Sequence, residues 1–192
     1  MPRLVLASTS TFRRELLAKL QIPFETASPD CDEVPLAGES PPATAERLAH
    51  AKATSIANDF PDSLIIGSDQ VAFIGTDVFG KPGTNIAAAN QLRRMRGREI
   101  CFHTGLCLLN TATGAAQHVG ISTVVGFRSL TDLDIERYLE REDARNCAGS
   151  AKSEGLGIAL LDYIRGDDPN ALIGLPLIAL CTMLRHEGIS VP

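Results

Sequence analysis

A short apolar run, Leu4-Val5-Leu6-Ala7, leads into Ser8-Thr9-Ser10 and then into Thr11-Phe12-Arg13-Arg14-Glu15-Leu16-Leu17. That order reads as a strand over residues 4–7, a hydroxyl-rich loop and a helix over residues 11–20. Phe12, Leu16, Leu17 and Leu20 recur at helical spacing and give the helix one apolar side. Ser10 is placed to cap its N-terminus. Arg13 and Arg14 then fall in the first turn, where the helix already carries partial positive charge. An anion bound there removes the conflict. Hydroxyls, free backbone N–H groups and neighbouring guanidiniums together make a phosphate site. The plainer alternative is that both arginines are solvated surface charges.

The rest of the chain keeps alternating. Residues 29–42 hold four prolines and several acids and read as loop. A helix is expected over 44–58, a strand over 63–74 broken by Gly67, and a turn at Gly80-Lys81-Pro82-Gly83. Thr84 opens a helix that ends near Gly97. Residues 99–110 and 117–128 read as two long strands around a Thr113-Gly114 turn. Thr131 starts another helix, with Asp132 and Asp134 in its first turn. Residues 155–162 read as strand. Pro176 takes the first position of a last helix that Gly188 stops. A long hairpin in the middle of interleaved strands and helices points to an α/β fold with a mixed sheet, not a purely parallel one. No composition shift marks a linker, so residues 1–192 read as a single domain.

Hydrophobic residues make up 44% of the chain, enough for a core and too many for disorder. The net charge of -5 argues against non-specific binding to nucleic acid or to an anionic membrane. No apolar run approaches the ~20 residues of a membrane span, and residues 4–7 are too short for a secretory core. The five cysteines (Cys31, Cys101, Cys107, Cys147 and Cys181) form no CxxC pair and no zinc pattern with the four histidines. An odd count at irregular spacing points to a reducing, cytoplasmic compartment.

Asp69 interrupts the apolar run Leu64-Ile65-Ile66-Gly67-Ser68-Asp69-Gln70-Val71-Ala72. A carboxylate buried there needs a metal ion or a lysine beside it. It is either a metal ligand or general base, or an aspartate in a turn after Gly67. Lys52 shares a helical stripe with Leu48 and Ile56, so its head either snorkels to water or reaches into a cleft to hold a phosphate. Lys81 is fixed in a tight turn. Asp32 and Glu33 lie in the proline-rich loop, as solvation or as ligands of a hard divalent cation. The small-residue loop 147–157 lets a ligand approach the backbone, but GxxxxGK[ST] and GxGxxG are absent.

Together these segments closely resemble the Maf family of nucleoside triphosphate pyrophosphatases, over nearly the whole chain. The markers are residues 6–10 with Arg13-Arg14, Asp32-Glu33, Lys52, Gly67-Ser68-Asp69, Gly80-Lys81-Pro82, Thr104-Gly105, residues 149–157 and Gly174-Leu175-Pro176. Phe12, Gln70 and Lys152-Ser153-Glu154-Gly155 resemble the branch that hydrolyses 7-methyl-GTP. The resemblance implies a Maf/ITPase-like α/β fold, an elongated mixed sheet flanked by helices with two lobes around a central cleft. It implies cleavage between the α and β phosphates, with a divalent cation, Mg²⁺ or Mn²⁺. Asp69 matches the catalytic acid–base position, and Glu33 with Asp69 the metal-associated carboxylates. Ser8, Ser10, Arg13, Arg14, Lys52 and Lys81 match the triphosphate-binding set.

The resemblance implies that Phe12, Gln70 and Glu154 help set substrate specificity. One carboxylate can accept both the N1–H and the exocyclic amine of guanine, and an aromatic face can stack on a ring made cationic by N7-methylation. The alternatives are a surface charge for Glu154 and a core residue for Phe12. The expected partner is a nucleoside triphosphate, with no nucleic acid and no membrane, and homodimers are common among relatives. Two other functions stay open: hydrolysis of other nucleoside triphosphates such as dTTP or UTP, and a non-catalytic role in septum formation.

Overall fold

The computed structural model describes residues 2–191. In chain order the elements are β1 (Arg3–Ala7), α1 (Thr11–Ala18), β2 (Glu25–Ala27), α2 (Pro41–Ser55), β3 (Ser63–Ile74) and β4 (Asp77–Phe79). They continue with α3 (Asn85–Met95), β5 (Glu99–Asn110), β6 (Ala116–Phe127), α4 (Asp132–Leu139), β7 (Leu161–Arg165) and α5 (Leu177–His186). The strands form one seven-stranded mixed sheet in the order β2-β1-β3-β5-β6-β7, with β4 folded back on β3. Only the pairs around β1 are parallel; β3, β5, β6 and β7 run antiparallel in turn. Among the described residues no helix is long and apolar enough to cross a membrane.

Strand alternation divides the core. Leu4 and Leu6 of β1 pack with Leu16 and Leu17 of α1 and with Leu180 and Leu184 of α5, while Val5 and Ala7 meet Ala49 and Ala53 of α2 on the other face. β1 is therefore apolar on both sides, as a strand covered by helices on both faces must be. Farther along the β3–β5 ribbon, Ala72, Ile100 and Phe102 join a separate cluster with Leu92 of α3 and Ile135 of α4. Between the two clusters the ribbon turns polar, with Ser68, Asp69 and Gln70 on β3 and Thr104 on β5, paired with Gln70. Two of the functional candidates, Asp69 and Gln70, sit at this waist between apolar clusters.

Gly67 does not break its strand: β3 is continuous and pairs with β5 from Leu64 to Phe73. Its role is close approach. A Cβ at Gly67 would overlap the backbone oxygen of Ala49 and one at Gly105 would lie 2.5 Å from that of Ala45, so α2 crosses the sheet over glycines. His103 adds a polar clamp, its Nε2 3.0 Å from Glu46 of α2 and its Nδ1 2.8 Å from Ser122 of β6. Replacing Gly67 with Ala is expected to lower unfolding stability by about 3 kcal/mol, the upper range of overpacking, because helix backbone cannot yield as a side chain does. Urea denaturation measures it.

Helices α1 and α2 end two and three residues earlier than expected, and three further boundaries differ for an identifiable reason. α2 starts at Pro41, not at residue 44, because both prolines sit in its first turn and Ser40 caps it. Residues 155–162 are not one strand. Leu156–Leu160 form a 3-10 turn whose first N–H is accepted by Glu142, and pairing with β6 begins only at Leu161. Pro176 is the cap residue and not the first position of α5, and the buried Asp168 accepts the Ile178 N–H at 2.7 Å. The cysteines and histidines, which show no metal pattern in sequence, also give one grouping in space. Register pairs Cys107 with His118, and together with His50 they offer ligand atoms all within 4.8 Å of one another.

Candidate active site

The loop 8–10 leaves β1 at its carboxyl end, the edge where open α/β sheets bind ligands. Ser8 Oγ accepts the Ser10 N–H at 3.1 Å, and Ser10 Oγ caps α1 by accepting the Arg13 N–H at 3.3 Å. Each hydroxyl thus spends a lone pair inside the loop and keeps its O–H to donate outward. Arg13 Nε donates to the Gly174 carbonyl at 2.8 Å. Ser68 Oγ lies 2.9 Å from the same carbonyl, which ties α1 and β3 to the loop before α5. The terminal nitrogens of Arg13 make no hydrogen bond among the described residues. Burial lowers the Arg13 pKa from its ordinary value, and the carboxylates of Asp69 and Glu33 counter it only in part. Arg14 is exposed.

Asp69 and Lys52 meet at the waist. Lys52 Nζ lies 2.6 Å from Asp69 Oδ1 and 2.9 Å from Glu33 Oε1. The side chains of Lys52 and Asp69 are only 8% and 13% exposed, against 59% for Glu33. Lys52 therefore turns inward to the two carboxylates and does not snorkel. Burial pushes the Glu33 carboxyl upward, but its hydrogen bond to Lys52 and the charges of Lys52, Lys81 and Arg13 outweigh that and hold it below its ordinary value. Lys81 itself is exposed, in a loop pinned where Gln91 donates to Gly80 and Gly83 donates to Arg145.

A second group borders the first. Lys152 Nζ sits 5.7 Å from the centroid of the Phe12 ring and 2.9 Å from Glu142 Oε1. Its backbone N–H donates to Tyr138 Oη at 3.0 Å, which fixes the start of the 152–154 turn. Phe12 is half-buried and belongs to none of the three apolar clusters. Glu154 is exposed; among the described residues its hydrogen bonding is limited to a long contact of 3.5 Å from Ser153, and its charge acts on Lys152. An aromatic ring of α1 and an exposed carboxylate thus both act on Lys152.

The sequence profile of a family described as Maf-like protein matches residues 3–187. The chain belongs to the Maf family. A 7-methyl-GTP pyrophosphatase of Aromatoleum aromaticum is 56% identical over 190 residues, 99% of this chain and 98% of the relative. One of Cupriavidus metallidurans is 56% identical over 187 residues, 97% and 94% of the two chains. Among solved structures, a HAM1 protein from Coxiella burnetii aligns at a TM-score of 0.46 and 15% identity, covering 68% of this chain and 75% of that one.

Within this Maf chain, Ser8, Ser10, Arg13, Glu33, Lys52 and Asp69 gather in one place, with Lys81 near enough to act on Glu33 through its charge. Gln70 follows Asp69 and so projects to the opposite face of β3. Its Nε2 has Thr104 Oγ1, the Ala171 carbonyl and the Leu172 carbonyl within 3.0 Å, so its two amide hydrogens are committed to the protein. One contributor escapes sequence reasoning: Glu142, the partner of Lys152, lies in a stretch with no distinctive pattern. Gly174 is among the markers of the resemblance, but its role is not, because it acts through its carbonyl; its backbone at φ 116 lies in a region that favours glycine.

Proposed function

We propose that this chain is a nucleoside triphosphate pyrophosphatase that hydrolyses 7-methyl-GTP to the monophosphate and pyrophosphate, a cytoplasmic house-cleaning activity. The observation that carries it is the buried Lys52–Asp69 pair, joined by Glu33 and set beside the serine–arginine loop. The names of the relatives at 56% identity support the same substrate. Two carboxylates converging from separate elements are an all-oxygen donor set, and each uses one oxygen on Lys52, which fits a hard divalent cation such as Mg²⁺ or Mn²⁺. When bound, such an ion supplies charge neutralisation on the phosphates and a more acidic water.

The chain's own groups do the rest. The hydroxyls of Ser8 and Ser10, the N–H groups opening α1 and the free nitrogens of Arg13 donate to phosphate oxygens. Arg14 and Lys81, at the rim, add longer-range attraction. Lys52 stabilises the charge that grows on the departing pyrophosphate. Asp69 takes the proton from the attacking water at its carboxylate. Phe12 stacks on the cationic base and Glu154 accepts its two donors.

A substrate panel of 7-methyl-GTP, GTP, UTP and dTTP with Mg²⁺ or Mn²⁺, read as released pyrophosphate, tests the proposal. A preference for 7-methyl-GTP is the expected result; a preference for UTP or dTTP, or no turnover, overturns it. Replacing Glu154 with Gln is expected to lower kcat/KM for 7-methyl-GTP about tenfold relative to UTP, the worth of one charge-assisted hydrogen bond. Equal losses on both substrates would remove the contact.

A further inference from the structure

His50 of α2, Cys107 of β5 and His118 of β6 are used by nothing described above. We propose that they form a second cation site, for a borderline divalent ion of the Zn²⁺ type, separate from the carboxylate pair. The donor set is two imidazoles and one sulfur, which suits Zn²⁺ and not the hard ions that prefer oxygen. Cys107 Sγ and His50 Nδ1 are 3.8 Å apart. Two ligands of a tetrahedral zinc, at about 2.3 Å for sulfur and about 2.0 Å for nitrogen, stand about 3.5 Å apart, so this pair is within a few tenths of an ångström of the required span. His118 stands opposite Cys107 in the β5–β6 register, and all three ligand atoms lie within 4.8 Å of one another. Its side chain and that of His50 are exposed, so a small rotation closes the set, while Cys107 is buried and fixed.

The hydrogen bonding favours the ligating tautomer. Thr54 Oγ1 donates to the His50 carbonyl at 3.0 Å and lies 3.5 Å from His50 Nε2. With its proton spent on that carbonyl, the threonine can only accept from Nε2–H, which leaves the Nδ1 lone pair facing Cys107. The thiol hydrogen between sulfur and nitrogen then occupies the place an ion would take. Binding replaces that hydrogen, so one proton leaves for each ion bound. A fourth position stays open to water. The ion would tie α2 to β5 and β6 two residues before Lys52, and would act as a staple for the helix that carries the lysine.

Titration of the metal-free protein with Co²⁺ and Zn²⁺ tests this. The expected result is one equivalent bound, a thiolate-to-cobalt charge-transfer band, release of one proton and a raised Tm, with no competition from excess Mg²⁺. Cys107→Ser should abolish the charge-transfer band. His118→Ala, on an exposed side chain, should weaken Zn²⁺ binding at least as much as loss of a supporting shell residue does, about 10–100-fold. It should leave Mg²⁺-supported turnover unchanged. If Cys107→Ser fails to fold, His118→Ala alone decides the matter. A cobalt complex without a thiolate band, or unaltered affinity in His118→Ala, overturns the proposal and marks the binding as adventitious.

Discussion

Replacing Asp69 with Asn is expected to lower kcat on 7-methyl-GTP about a thousandfold, the middle of the range for losing a positioned general base, while nucleotide affinity changes little. The substitution keeps the side chain's shape, and the amide oxygen can still accept from Lys52. What it removes is a charge and a basic oxygen. The phosphate-gripping groups of Ser8, Ser10 and Arg13 belong to the loop and helix that follow β1, and their hydrogen bonds run to the loop itself and to Gly174, not to Asp69. Binding should therefore survive. Equilibrium binding of a non-hydrolysable analogue, set against turnover, separates the two effects. Full turnover in this variant would take Asp69 out of the chemistry; lost affinity with normal kcat would make it a binding residue only.

The legible parts of this chain are those where one residue type contradicts its surroundings. Asp69 in an apolar run and Lys52 on an apolar stripe each demand a partner, and the structure gives them each other at 2.6 Å. Two arginines at a helix N-terminus demand an anion, and Arg13 does turn into the site, although its Nε is spent on Gly174 and Arg14 stays exposed. Contacts made by backbone atoms or by register were not legible. The Gly174 carbonyl has no side-chain signature, and Gly67 looks like a strand breaker until the helix above it is in place. His50, Cys107 and His118 are far apart in sequence and meet only because β5 and β6 pair in one register beneath α2. Prolines mislead at residue 41, since a first helical turn and a loop favour them equally.

Replacing Lys52 with Met is expected to damage both the chemistry and the fold. Lys52 is the common partner of a nearly buried carboxylate and a half-exposed one. A methionine of similar length fills its space but leaves Asp69 without its ammonium. Breaking a buried pair by removing one partner costs about 3 kcal/mol or more, which urea denaturation will show. The exposed Glu33 contributes little to that figure because water screens it. Its titration is the sharper readout. Glu33 is held below its ordinary value chiefly by the Lys52 hydrogen bond and charge working against burial, so without Lys52 its carboxyl must move up. As pH falls, a carboxylate with a higher pKa protonates sooner. The acid limb of kcat/KM should therefore shift to higher pH, on top of a lower plateau. An unshifted acid limb with unchanged stability would mean that Lys52 neither sustains these carboxylates nor organises the site, and Asp69 would then need another source of compensation for its burial.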